Sequence, residues 1–220
     1  ALFKVLPYDP VKDFAPLTMM MRSPAMLAVS PQAPYGTLKD LIAYAQANPG
    51  KVNFGAGSAG YQLMGELLND SASLKTVHVP FKGASEAITA VASGTVDYTF
   101  AEVTAVQELA KDGRVKVVAV ASDQRVGTSP DVPTASEAGL PGFSYDSWFG
   151  LMAPAGVPAA ILEKVSRDTA QTLAAADLKN RLASQGITAV SNTPAAFDRI
   201  IRDDAARFAE LFKEAGVGAK

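Results

Sequence analysis

The chain repeats one local unit: a short run of β-branched and apolar residues, a loop rich in glycine or proline, then an amphipathic helix. Val52–Phe54, Thr76–Val79, Val96–Phe100 and Val115–Ala121 read as strands, and helices follow near Gln62–Asn69, over Ser85–Ser93 and near Val103–Lys111. Ahead of them, Thr37 stands as an N-cap for a helix whose Leu38, Leu41, Ile42 and Ala45 fall on one face, and Asn48-Pro49-Gly50 ends it. Strands that alternate with helices of this length are accommodated by an α/β architecture and by little else. Pro16–Arg22 and Ala25–Val29 read as two extended pieces broken by Ser23-Pro24. Together these elements form one lobe from about Pro24 to Tyr145, in which Ser122–Gly142 is a long connection carrying one short helix at Thr134–Ala138.

Beyond the lobe, Tyr145–Met152 is extended, Pro158–Ala174 and Leu178–Ser184 are helical, and Ile187–Val190 is a short strand. Thr193 caps a last helix that has Pro194 at its first position and runs to about Ala215, with a core-facing stripe of Ile200, Ile201, Phe208, Leu211 and Phe212. These helices have few strands to cover. The expectation is therefore that part of a sheet lies upstream of Ala1, and that a preceding segment has been removed.

Several function classes are excluded early. The net charge is −2 with both signs mixed along the chain, so the basic face that nucleic acid requires is missing. No apolar run approaches the length of a membrane span. The absence of cysteine and the single histidine, His78, exclude Cys/His zinc sites and a cysteine nucleophile. No cofactor is expected.

Two stretches carry the chemistry. In Val52-Asn53-Phe54-Gly55-Ala56-Gly57-Ser58-Ala59-Gly60, a strand runs through small residues into a helix. Such a loop lets a ligand reach the backbone, and a helix start offers unpaired N–H groups to an anion. It lacks the Gly-Lys-Ser/Thr of a phosphate loop, and no acid stands where a dinucleotide site needs one. Taken alone, it is a tight turn or an anion site. In Val77-His78-Val79-Pro80-Phe81-Lys82-Gly83-Ala84-Ser85 a second strand end meets a helix start, with Ser85 a candidate cap. Lys82 supplies charge there or is a solvated turn lysine. Two such loops on one side of a parallel sheet open a crevice where ligands bind. No acid/base pair stands out: Ser58 would need His78, which reads as a sheet-surface residue, and Asp97, Glu102, Asp146, Asp203 and Asp204 are scattered. Trp148 is core filler or an aromatic wall.

Four ordered segments resemble one family. Leu6-Pro7-Tyr8-Asp9-Pro10-Val11-Lys12-Asp13-Phe14-Ala15-Pro16, Val77–Gly83, Ser129–Gly142 and Trp148–Gly156 are similar to the markers of Bug-type receptors of tripartite tricarboxylate transporters, in the family's order from Ala1 to Val217. The resemblance implies an α/β type II periplasmic-binding-protein fold, with two lobes joined by crossing strands and closing over a small carboxylate. Residues 24–145 would be the second lobe, and 1–23 with 146–220 the C-terminal share of an incomplete first lobe. It further implies a periplasmic protein, read by membrane permease subunits or a sensor kinase. The ligand-binding candidates are Gly55, Ala56, Gly57, Ser58, Ala59, Gly60, Lys82, Gly83, Ala84, Glu102 and Trp148. Three departures bear on ligand identity: the Gly55–Gly60 loop is about two residues short, Gln62 replaces a common histidine, and Ala101 then Glu102 follow Phe100 where an aspartate is frequent. The rivals are an enzyme on the same fold and the effector domain of a transcriptional regulator.

Overall fold

The computed structural model describes residues 7–214. They divide into two compact units: a central one, Pro24–Asp146, and a flanking one that takes the residues up to Ser23 and those from Ser147 onward.

The first strand, β1 (Phe14–Val29), is unbroken, which corrects the expected interruption at Ser23-Pro24. Its partners change along its length. Met21 and Arg22 pair with a short strand near Thr188, whereas Ala25 onward pairs with two strands of the central unit. Pro24 lies between Arg22, which pairs with Thr188, and Ala25, which pairs with Glu102 and Ala121.

The central unit continues with α1 (Leu38–Ala47), β2 (Asn53–Ala56), α2 (Ala59–Ser71), β3 (Val77–Pro80), α3 (Ala84–Ala92), β4 (Tyr98–Glu102), α4 (Val103–Lys111) and β5 (Lys116–Ala121). Its strand order is β3-β2-β4-β1-β5. β3, β2 and β4 are parallel, and β1 runs antiparallel to β4 and β5. Side chains alternate into two cores. Leu27, Phe54, Tyr61, Met64, Tyr98 and Phe100 fill one face beneath α1 and α2. Met26, Ile88, Val91, Ala101, Val103 and Val106 fill the other beneath α3 and α4.

The expected helix at Thr134–Ala138 is instead a single turn. Thr134 N–H donates to Glu137 Oε2 at 2.8 Å and Glu137 N–H donates to Thr134 Oγ1 at 3.1 Å, a reciprocal cap with no helix behind it. Gly139, at φ +99°, ends the turn, and Thr134 bridges to Val120 of β5.

The flanking unit holds the first part of β1 with β6 (Asp146–Pro154) and β7 (Thr188–Ala189) paired to it, plus α5 (Ala159–Ala174), α6 (Ala176–Ala183) and α7 (Pro194–Glu214). Thr193 caps α7 as expected, accepting from Ala196 N–H at 3.2 Å. Of the expected stripe on α7 only Phe212 is fully buried; the residue that anchors the helix is Phe197, which is wholly enclosed. Gly150 of β6 makes room for it: a Cβ there would stand 2.0 Å from the Phe197 ring.

Candidate functional site

The two glycine loops leave the C-terminal ends of neighbouring parallel strands. Asn53, Phe54, Gly55 and Ala56 of β2 pair with Val77, His78, Val79 and Pro80 of β3, so both chains turn into their helices at the same edge of the sheet. The two turns then touch through their backbones. A Cβ on Gly57 would lie 2.1 Å from the Gly83 carbonyl carbon and 2.3 Å from Ala84 N. No side chain fits there, so the glycine is demanded by loop-on-loop contact. Gly55 is tight for another reason, since its Cβ would come 3.0 Å from the Phe81 ring.

The helix starts differ in how they are capped. Ser58 is the N-cap of α2 and its Oγ accepts from Tyr61 N–H at 3.3 Å, while Gln62 N–H begins the helical ladder at the Ser58 carbonyl. Ala59 and Gly60 occupy the first two positions, where a helix has no internal partner for N–H groups. The N-cap of α3 is Gly83 and not Ser85, and it supplies no side-chain hydrogen bond. Glu86 reaches back to take Lys82 N–H at 3.2 Å, which fixes the turn without occupying the N–H groups of Ala84 and Ser85. Around Gly83 there is open space: a Cβ there would meet nothing within 4 Å. The edge thus carries two helix N-termini, with their partial positive charge, side by side.

The remaining candidates are distributed. Ala56 ends β2 and is buried. Lys82 is exposed, and its backbone rather than its ammonium is engaged in the turn. Glu102 closes β4 and is half-buried at the start of α4, where its side chain makes no capping bond. Trp148 belongs to the flanking unit. Its indole N–H donates to Asp204 Oδ2 at 2.6 Å, and its ring meets Phe197 edge-on with centroids 5.3 Å apart. These contacts bind β6 to α7. His78 lies opposite Phe54, its ring 5.2 Å from that phenyl and well back from the loop that carries Ser58. Among the described residues no group of three or more His, Cys, Asp or Glu could hold a metal ion.

Reading by sequence passed over Tyr145. Its N–H donates to the Ala121 carbonyl at 2.8 Å, and its hydroxyl stands over the first turn of α2, 2.9 Å from where a Gly60 Cβ would be. The only sequence signal was a bulky aromatic at the start of an extended run after a polar connection.

Strand-end loops of this kind, opening at one edge of a mixed α/β sheet, form a place where ligands commonly bind. The model of the tripartite tricarboxylate transporter family receptor matches residues 1–217, and the chain belongs to that family. It is 33% identical over 98% of its length to a protein of Agrobacterium vitis encoded in the TAR-I ttuE-ttuC' intergenic region. The chain spans 64% of the length of that curated relative. Among solved structures it is similar to R. palustris Rpa4515 with adipate, with a TM-score of 0.90 and 28% identity, covering 98% of this chain and 73% of that one. It is also similar to MatC (Rpa3494) from Rhodopseudomonas palustris with bound malate, with a TM-score of 0.82 and 30% identity, covering 96% and 73%. Among the described residues no helix is long and apolar enough to cross a membrane.

Proposed function

We propose that this protein is an extracytoplasmic receptor that captures a small carboxylate and turns nothing over. The observation that carries the reading is the backbone contact between Gly57 and Gly83, which sets the starts of α2 and α3 next to each other with open space at Gly83. Two adjacent helix N-termini attract a carboxylate through oriented N–H groups, with no need for a cationic side chain. The residues proposed to hold it are Gly57, Ser58, Ala59 and Gly60 on one loop and Lys82, Gly83 and Ala84 on the other, with Gly55 and Ala56 shaping the approach. Family membership supports the same reading, as do two similar proteins solved with adipate and with malate. The loaded receptor would present its ligand to membrane permease subunits, or to a sensor kinase, at the periplasmic face. A ligand that binds only the folded protein raises its melting temperature. A thermal-shift screen of organic acids, amino acids, sugars and nucleotides therefore tests the proposal. Stabilisation by acids supports it; stabilisation by sugars or nucleotides alone refutes it.

A further inference from the structure

At the same edge of the central sheet, one strand beyond the two loops, stands a carboxylate that no described residue answers. Glu102 is half-buried, and its side chain caps nothing and takes part in no hydrogen bond or ion pair among the described residues. Its position follows from the ladders. Phe54 and Gly55 of β2 pair with Tyr98 and Thr99 of β4, so the same register carried forward brings Glu102 level with Ser58. On its other side Glu102 pairs with Ala25, Ala25 pairs with Ala121, and the Ala121 carbonyl receives the Tyr145 N–H. Alternation along β4 settles the face. Ala101 is buried in the core beneath α3 and α4, whereas Tyr98 and Phe100 belong to the core beneath α1 and α2. Glu102 therefore lies on the α2 side, as does Tyr145, which packs against that same core. The Tyr145 hydroxyl crosses back to stand over Gly60. Glu102 thus stands, by register and face, between the start of α2 and Tyr145.

We infer that Glu102 is a specificity-determining residue: it selects acids that carry a hydrogen-bond donor, an ammonium or a hydroxyl, beside the carboxylate held by the helix starts. The inference rests on the carboxylate-receptor reading and narrows its ligand class to amino and hydroxy acids. A half-buried acceptor-only group gains from a donor and leaves its charge unanswered by a bare methylene. An amino acid gains most, because its ammonium meets a formal negative charge where dielectric screening is reduced.

Three probes of one carbon skeleton test this by titration calorimetry: succinate, malate and aspartate, which differ only in H, OH or NH3+ at one carbon. The wild-type protein should bind aspartate or malate about tenfold or more tighter than succinate. Glu102→Ala should erase that preference and leave succinate binding unchanged or improved, while the near-isosteric Glu102→Gln should reduce the aspartate preference more than the malate one. Equal affinity for the three acids in the wild type, or an unchanged ranking in both variants, overturns the role of Glu102 and leaves the carboxylate receptor standing. Failure of all three acids and of every other carboxylate to bind overturns the receptor reading together with it.

Discussion

Gly57 and Gly83 meet backbone to backbone, at a spacing that would put a Gly57 Cβ 2.1 Å from the Gly83 carbonyl carbon. The contact is not symmetrical in its demands. Gly57 has no room for a methyl group, whereas Gly83 has nothing within 4 Å and an extended backbone, φ −166°, that any residue adopts. One glycine holds the two loops together, and the other leaves the approach to them open.

Substitution should separate these roles. Gly57→Ala forces backbone against backbone and should destabilise the protein by about 2–3 kcal/mol, with ligand affinity lost as well. Gly83→Ala should leave stability within about 0.5 kcal/mol and still weaken ligand binding, because the new methyl stands where the ligand approaches. Urea melts give the first quantity and calorimetry the second. A Gly83→Ala protein with undiminished affinity would show that the ligand does not approach there.

Lys82→Ala should matter far less than either. The lysine is exposed and its structural contribution is a backbone N–H given to Glu86, which alanine retains. A flexible solvated ammonium contributes little to a contact that oriented N–H groups already make. A larger loss of affinity in Lys82→Ala than in Gly57→Val would indicate a charged clamp.

In the flanking unit, Trp148→Phe keeps the ring against Phe197 but removes the hydrogen bond to Asp204. A bond to a charged acceptor in this half-buried setting contributes about 1.5–3 kcal/mol. The variant should lose an amount in that range, and Asp204→Ala should add little on top of it. Additive losses in the double variant would show that the two side chains do not act as a pair.

The Ser122–Gly142 connection should respond to acid. Glu137 is held below the ordinary glutamate range, first by the Thr134 N–H it accepts and then by Arg125, whose guanidinium is 2.8 Å away. A carboxyl whose folded pKa is depressed contributes stability above its unfolded value and loses that contribution as pH falls through the folded one. The turn at Thr134 should therefore loosen below the ordinary glutamate pKa, read as faster amide exchange at Thr134 and Ala135. Glu137→Gln should show the loosened behaviour already at neutral pH. Exchange at Thr134 that is independent of pH after correction for intrinsic rates would contradict this.

Much of the central unit is legible in the sequence because its punctuation is chemical. Thr37 before an apolar-periodic run, glycine between strand and helix, and Pro194 after Thr193 each state where an element begins. The errors have one cause, namely partners distant in sequence. Pro24 reads as a break, yet β1 runs through it, with Arg22 and Ala25 on either side both paired to strands distant in sequence. Thr134–Ala138 carries good capping residues, but the bridge from Thr134 to Val120 and the turn at Gly139 leave no length for a helix. Ser85 is a better cap by composition than Gly83, but the helix is capped two residues earlier, at Gly83, where the turn packs against Gly57. At the site, the small residues were visible, and Tyr145 was not. Its place over Gly60 depends on sheet order, which one sequence does not display.

A carboxylate held by the paired helix starts should be recognised by its charge. Titration calorimetry should compare whichever acid binds best with its carboxamide, which has nearly the same shape and no charge. The acid should bind at least about tenfold tighter, because helix N-termini and their N–H groups favour an anion. Gly83→Ala should narrow the gap. Equal affinity for acid and amide in the wild type would contradict recognition of the charge.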